Sequence, residues 1–329
     1  MLLSVNYHYI EMPEFPYPGI HGISSARFLE HVSWLRKGFR LIGLPELIDI
    51  VASGNPLPQD DLCLITFDDG LKCQYEVAYK IATEHSFPIS IFVSKRPISE
   101  ADPTTVHKLQ YIRANISSLD ILEELQTYIK SHDLVVSPEC ISSDEAKRHY
   151  SYDNEDTARL KYYINYKMPV GDQKDFVDNL FSTIVASPKE FVSSWYMSRD
   201  EIAEVSQRTA GIGSHAVSHA PLSHLTNDEV LQEMVDSKDF LSRICQLPID
   251  VISYPLGNEN AVTEREGAYA MRAGYKAGFT MERAVNATAH CPSLLARLDC
   301  NDLPIDKPIS AESTLLRIPY RSRYYRETF

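Results

Sequence analysis

The chain's 329 residues carry a formal charge of −13, which argues against nucleic acid as the main partner because phosphate binding needs a concentrated basic surface. With 44% apolar and 23% charged residues and no low-complexity tract, it reads as an ordinary globular protein, long enough for one large α/β barrel or two domains. No run reaches the ~18 apolar residues of a membrane helix, the start has no basic signal-peptide region, and six scattered cysteines without a CxxC pair read as reduced thiols, so the expected location is the cytoplasm.

In chain order, LLSVNYHYI is rich in β-branched and aromatic residues and predicts a strand. Phe28, Val32 and Leu35 recur at helical spacing, RLIGL reads as a short buried strand, and PELIDIVASG as a helix opened by Pro and closed by Gly. LCLITF is a continuous apolar run ending in DDG, the pattern of a strand buried on both faces. A helix over Tyr75 to His85 and the strand PISIFVS follow. Residues 99–195 lose the alternation and read as a largely helical insertion, a lid over the active site. From Ser198 the alternation returns, with three S/T-x-x-E capping boxes at Ser198, Thr226 and Thr263 and strand-like pieces GIGSHAV, DVISYPLG and KAGFTM between them. Repeated βα units on both sides of an insertion predict an α/β protein with a parallel sheet, residues 1–98 and 196–329 forming the catalytic domain. Arg317, Arg321, Arg323 and Arg326 form a basic cluster near the C-terminus that suits a solvated tail or an anionic sugar.

Chemistry-bearing residues fall where strands end and loops begin, the catalytic position of parallel α/β folds. Asp68 and Asp69 follow LCLITF directly; two adjacent carboxylates need a cation or a shared proton, although Asp-Asp-Gly is also ordinary turn chemistry. In an extended segment their side chains diverge, allowing one to bind metal and the other to face substrate. His215 and His219, four apart, would share one side of a helical turn, as two ligands of one metal do; a structural pair or a solvated turn stands beside that reading. With a strand-end carboxylate they compose a two-His, one-carboxylate set, suited to hydrolysis with zinc or oxygen chemistry with iron.

LITFDDG, then SHAVSH, then SYPLG resemble, in order, the motifs of the polysaccharide deacetylase superfamily, the NodB-homology enzymes of carbohydrate esterase family 4, in its Tyr-Pro-x-Gly version. The resemblance covers roughly residues 60–98 and 197–300. It implies a distorted (β/α)7-type barrel and a divalent metal, usually Zn2+, held by Asp69, His215 and His219. Asp68 is carried over as the general base and the Leu256 N–H as the oxyanion donor. Tyr254, Pro255 and Gly257 are assigned to substrate binding, Pro255 and Gly257 by shaping the turn. Where many members have an Arg two residues before the motif's Pro, this chain has Ser253; Arg297, in LLARLD, matches a motif Arg that orients the base, with a structural ion-pair partner as the other reading. The family's acid-bearing Leu-x-His is not evident, which leaves His107 as the candidate acid, with His8, in YHYI and assigned to substrate binding, and His290 as rivals. The implied function is removal of an N-acetyl or N-formyl group from a small or lipid-linked amino sugar during surface-glycan precursor biosynthesis. A ureide or imide amidase and an inactive sugar-binding homologue are the alternatives.

Overall fold

A computed structural model describes residues 1–11, 20, 22–150, 153–207, 210–287, 289 and 291–305. The expected strands form: β1 (Leu2–Tyr7), β2 (Arg40–Ile42), β3 (Leu62–Phe67), β4 (Ile89–Val93), β5 (Ala210–Ser214), β6 (Val251–Ser253), β7 (Ala277–Phe279) and β8 (Leu298–Asp299). They pair in parallel in the order β7-β6-β5-β4-β3-β1-β8, while β2 joins the first half of β3 below β4. The two ends of the sheet meet through residues 295–299. Leu295 exchanges backbone bonds with Gly278 and Thr280 beside β7, and Leu298 pairs with Val5 of β1. Asn286 stitches this seam, its side chain bonding Leu2 and both peptide groups of Ala296. The result is the expected barrel of parallel strands with helices outside.

Alternation along each strand separates two apolar layers. Leu3, Val5, Tyr7, Cys63, Ile65, Phe67, Ile91 and Val93 face the helices. Leu2, Leu62, Leu64, Phe92, Val251, Phe279 and Leu295 fill the barrel with Leu44 and Leu47, which come from the helix Leu44–Ser53. Gly213 is obligatory on β5, because a Cβ there would lie 2.3 Å from the Phe92 ring. All three predicted capping boxes are made, at Ser198, Thr226 and Thr263, and Gly274 leaves its helix with φ +84°.

The described residues within 1–11, 22–102 and 192–305 form one compact unit and those within 103–191 another. The second is helical where described, with Thr105–Asn115, Ser118–Ser131 and Val170–Ile184 among its helices. Among the described residues no helix is long and apolar enough to cross a membrane. His290 and the four C-terminal arginines lie outside the described residues.

His31, on the helix Ser25–Gly38, is buried with its Nδ1 3.0 Å from the Tyr7 hydroxyl. Burial, reinforced by Arg27, pushes its pKa down to about 4 from the ordinary 6.5. The folded state therefore resists a proton that the unfolded chain accepts. His31 contributes stability above pH 6.5 that is lost as the pH falls towards 4. The difference in melting temperature between wild type and His31→Gln, followed by circular dichroism, is expected to be widest above pH 6.5 and to shrink towards pH 4.

Candidate active site

Because the strands are parallel, their C-terminal ends bring Asp68 and Asp69 (after β3), His8 (after β1), His215 (after β5) and Tyr254 (after β6) to one mouth of the barrel. Register places Tyr7 opposite Phe67, and Asp68 N–H donates to the Tyr7 carbonyl, so His8 and Asp68 are neighbours. Asp68, Asp69, His215 and His219 are all buried.

Asp69 Oδ1 lies 3.5 Å from His215 Nε2 and 3.3 Å from His219 Nε2, and one ligand atom from each residue falls within 4.8 Å of the others. These separations suit three donors converging on one ion, and two imidazoles with a carboxylate are a zinc-type donor set with room for water. His215 Nδ1–H donates to the Ser253 carbonyl at 2.7 Å, which selects the tautomer with its Nε2 lone pair turned to the Asp69 side. Burial, opposed by Asp68 and Asp69, pushes the His215 pKa down to about 4, so the ring is neutral and able to ligate at pH 7. The residues present fit a divalent metal.

Two local expectations are corrected. The 215–219 segment is a loop, not a helical turn: Ala216 and His219 have φ of +57° and +63°. The side chains of Asp68 and Asp69 do not diverge through extended backbone either. Asp69 and Gly70 form a left-handed turn (φ +84° and +68°) that aims the two carboxylates at different partners.

Asp68 meets Arg297. The guanidinium binds it through two contacts, Nη1 to Oδ1 at 2.8 Å and Nη2 to Oδ2 at 2.7 Å, and Arg297 is fully buried. Its other bonds reach Asn6, Thr66, the Ser253 hydroxyl and the Thr280 carbonyl, and it lies over the rings of Phe92 and Phe279. Ser253 is thus a partner of Arg297 rather than a vacancy where an arginine might stand. Burial alone would raise the Asp68 pKa, but Arg297, with His215 and His8, holds it down to about 2.

Other expected residues are placed as follows. Tyr254 is fully buried and its hydroxyl donates to the Ser293 carbonyl, so it anchors the turn rather than facing a ligand. Pro255 is buried beside it, and Leu256 carries φ +59°. Gly257 combines φ +60° with a Cβ position 2.7 Å from the Met281 nitrogen, and only glycine fits. His107 belongs to the helical unit, buried, with Nδ1 3.0 Å from Thr104 Oγ1. Two site neighbours escaped the sequence reading. Asn6 donates to Asp68 at 3.2 Å, and its signal was a polar amide at an inward strand position. Tyr9 is the other: burial first and then the charge of Asp69 push its hydroxyl well above the ordinary range, and its ring packs edge-on against Trp195.

Removing one partner of a buried ion pair leaves the other charge uncompensated. Arg297→Met is expected to lower unfolding free energy by about 3–5 kcal/mol. Arg297→Met with Asp68→Asn should recover part of the loss, both measured by urea titration at neutral pH.

Residues 182–278 match the family model described as polysaccharide deacetylase. The protein named "Putative polysaccharide deacetylase YxkH" of Bacillus subtilis (strain 168) is 30% identical over 101 residues, 31% of this chain. The matched segment spans only 35% of that relative's length. Among solved structures, the Streptococcus pyogenes deacetylase PplD in complex with acetate superposes with a TM-score of 0.56 at 16% identity, over 91% of both chains. IcaB from Ammonifex degensii gives 0.54 at 16% identity over 92% of both, and the BpsB deacetylase domain from Bordetella bronchiseptica 0.53 at 14% over 91% of this chain and 95% of that one. These likenesses are of fold. Together with the matched segment and the order of the motifs, they make the chain similar to polysaccharide deacetylases in fold and in its C-terminal half.

Proposed function

We propose that the protein is a metal-dependent hydrolase that removes an N-acyl group, acetyl in the first instance, from an amino sugar. The observation that carries this reading is the adjacency of two differently partnered carboxylates: Asp69 beside two imidazoles, and Asp68 beside Arg297. Asp69, His215 and His219 would hold a divalent ion, most simply Zn2+, which would supply Lewis acidity when bound. Asp68, kept ionised by Arg297, takes the proton of the attacking water. The Leu256 N–H, in the turn after β6, is assigned to the developing oxyanion.

His8 is assigned as proton donor to the leaving amine ahead of His107, because it follows Tyr7, whose carbonyl accepts from the Asp68 N–H, and is only half-buried, whereas His107 is buried in the helical unit. The acetate in the PplD complex favours acetyl over formyl as the acyl group. Small nucleotide-linked or lipid-linked amino sugars are the proposed substrates, and residues 99–195 the proposed lid that selects them.

Purified protein, stripped of metal and reloaded with Zn2+, should release acid from N-acetyl amino sugars, read by acetate assay. Release unaffected by stripping would overturn the metal role; release only from chitin or peptidoglycan polymer would overturn the precursor assignment. Asp69→Ala, His215→Ala and His219→Ala should each lose metal by elemental analysis, whereas Asp68→Asn should keep it and lose on the order of 10²–10⁴-fold in kcat. His8→Gln should keep metal and lose kcat, with His107→Gln near wild type. The reverse order would return the acid role to His107.

A further inference from the structure

The loop from His215 to His219 carries two residues in left-handed backbone, a conformation that non-glycine residues adopt only when their surroundings enforce it. Its hydrogen bonds identify what enforces it. The carbonyls of Ala216 and Val217 accept from the backbone N–H groups of Lys95 and Arg96, just after β4. The His215 N–H donates to Val93, and that of Ala216 to the Ser214 hydroxyl. The amides of Val217 and Ser218, at the crown, have no helix to serve. Both donate to one oxygen of Glu233, Oε2, at 2.8 Å each. Successive amides turned to one side form an anion-binding concavity, and here a side chain of the same protein fills it.

Glu233 is itself held at a fixed height. Its helix, Asn227–Cys245, begins at the Thr226–Glu229 capping box and buries Val230, Met234 and Leu241. One turn beyond Glu233, Ser237 accepts a 2.8 Å bond from Ser214, the residue immediately before His215. The carboxylate is therefore registered against the strand end from which the loop departs.

We propose that Glu233 is a positioning residue for the metal ligands, its two bonds to the loop crown setting the His215 and His219 imidazoles against Asp69. This rests on the reading of those three residues as a metal site. It requires an acceptor oxygen at the reach of a glutamate side chain, rather than negative charge as such.

The test is titration of metal-stripped full-length protein with Co2+, following the visible absorption of the bound ion. Glu233→Ala should weaken Co2+ affinity about 10–100-fold, the usual effect of losing a group that orients a ligand, and alter the absorption band. Glu233→Gln keeps an oxygen at the same reach and should recover most of the affinity; Glu233→Asp, one methylene shorter, should not. Glu229→Ala removes the capping box of the same helix and should lower melting temperature while leaving Co2+ affinity unchanged. Wild-type affinity and spectrum in Glu233→Ala would overturn the proposal. So would an equal loss in Glu229→Ala, which would make the effect one of helix stability. If Glu233→Ala does not fold, the Gln–Asp comparison decides: Asp binding as tightly as Gln overturns it. His219→Ala separates the two readings. Uptake abolished by His219→Ala but untouched by Glu233→Ala defeats only the positioning role; uptake indifferent to His219→Ala, or no uptake by wild type, defeats the metal site and the positioning role together.

Discussion

A fully buried arginine inside a β-barrel is the constraint from which the mouth of this protein is built. A guanidinium in an apolar interior is tolerable only with its charge compensated and its N–H groups bonded. Asp68 supplies the charge; Asn6, Thr66, Ser253 and the Thr280 carbonyl supply the remaining acceptors. These partners come from β1, β3, β6 and the end of β7, while Arg297 stands on the segment that closes the barrel. One side chain thus couples closure of the sheet to the aim of the carboxylate at its mouth.

Above that pair, the backbone is bent where chemistry is expected. Among the described residues eight non-glycine positions have positive φ, and four of them, Asp69, Ala216, His219 and Leu256, lie in the loops after β3, β5 and β6. The other four, Ser86, Ala101, Asp133 and Gln246, follow helix ends, whereas these four belong to loops shaped by side-chain placement. Their strain is offset by bonding to rigid neighbours: the Gly70 carbonyl accepts from Met197, the 215–219 loop is gripped on both edges, and Gly257 bonds Met281. Strand ends give such loops fixed anchors, which is why the candidate ligand atoms of Asp69 and of the His215–His219 loop can converge within a few ångströms.

Local physics made much of this legible in the sequence alone. Periodicity, the three capping boxes and the buried run LCLITF placed helices and strands, because hydrophobic spacing and end-capping act within a few residues. Asp68, Asp69, His215 and His219 could be picked out as strand-end polar residues flanked by Gly and Pro, and their family resemblance rested on contiguous motifs. Tertiary structure alone decided the rest. Only the family resemblance of LLARLD pointed Arg297 towards Asp68; local spacing carries no such signal, since their meeting depends on the barrel closing. Spacing of four suggested a helical turn at 215–219, yet amides captured by Glu233 and carbonyls captured by Lys95 and Arg96 hold a left-handed loop there instead. Tyr254 looked like a substrate contact by adjacency to the turn, until the Ser293 carbonyl claimed its hydroxyl. Sequence determined which elements form and which residues stand at their ends; packing between elements distant in the chain decided what each end residue faces, because hydrogen-bond partners and ion pairs are chosen by proximity in space.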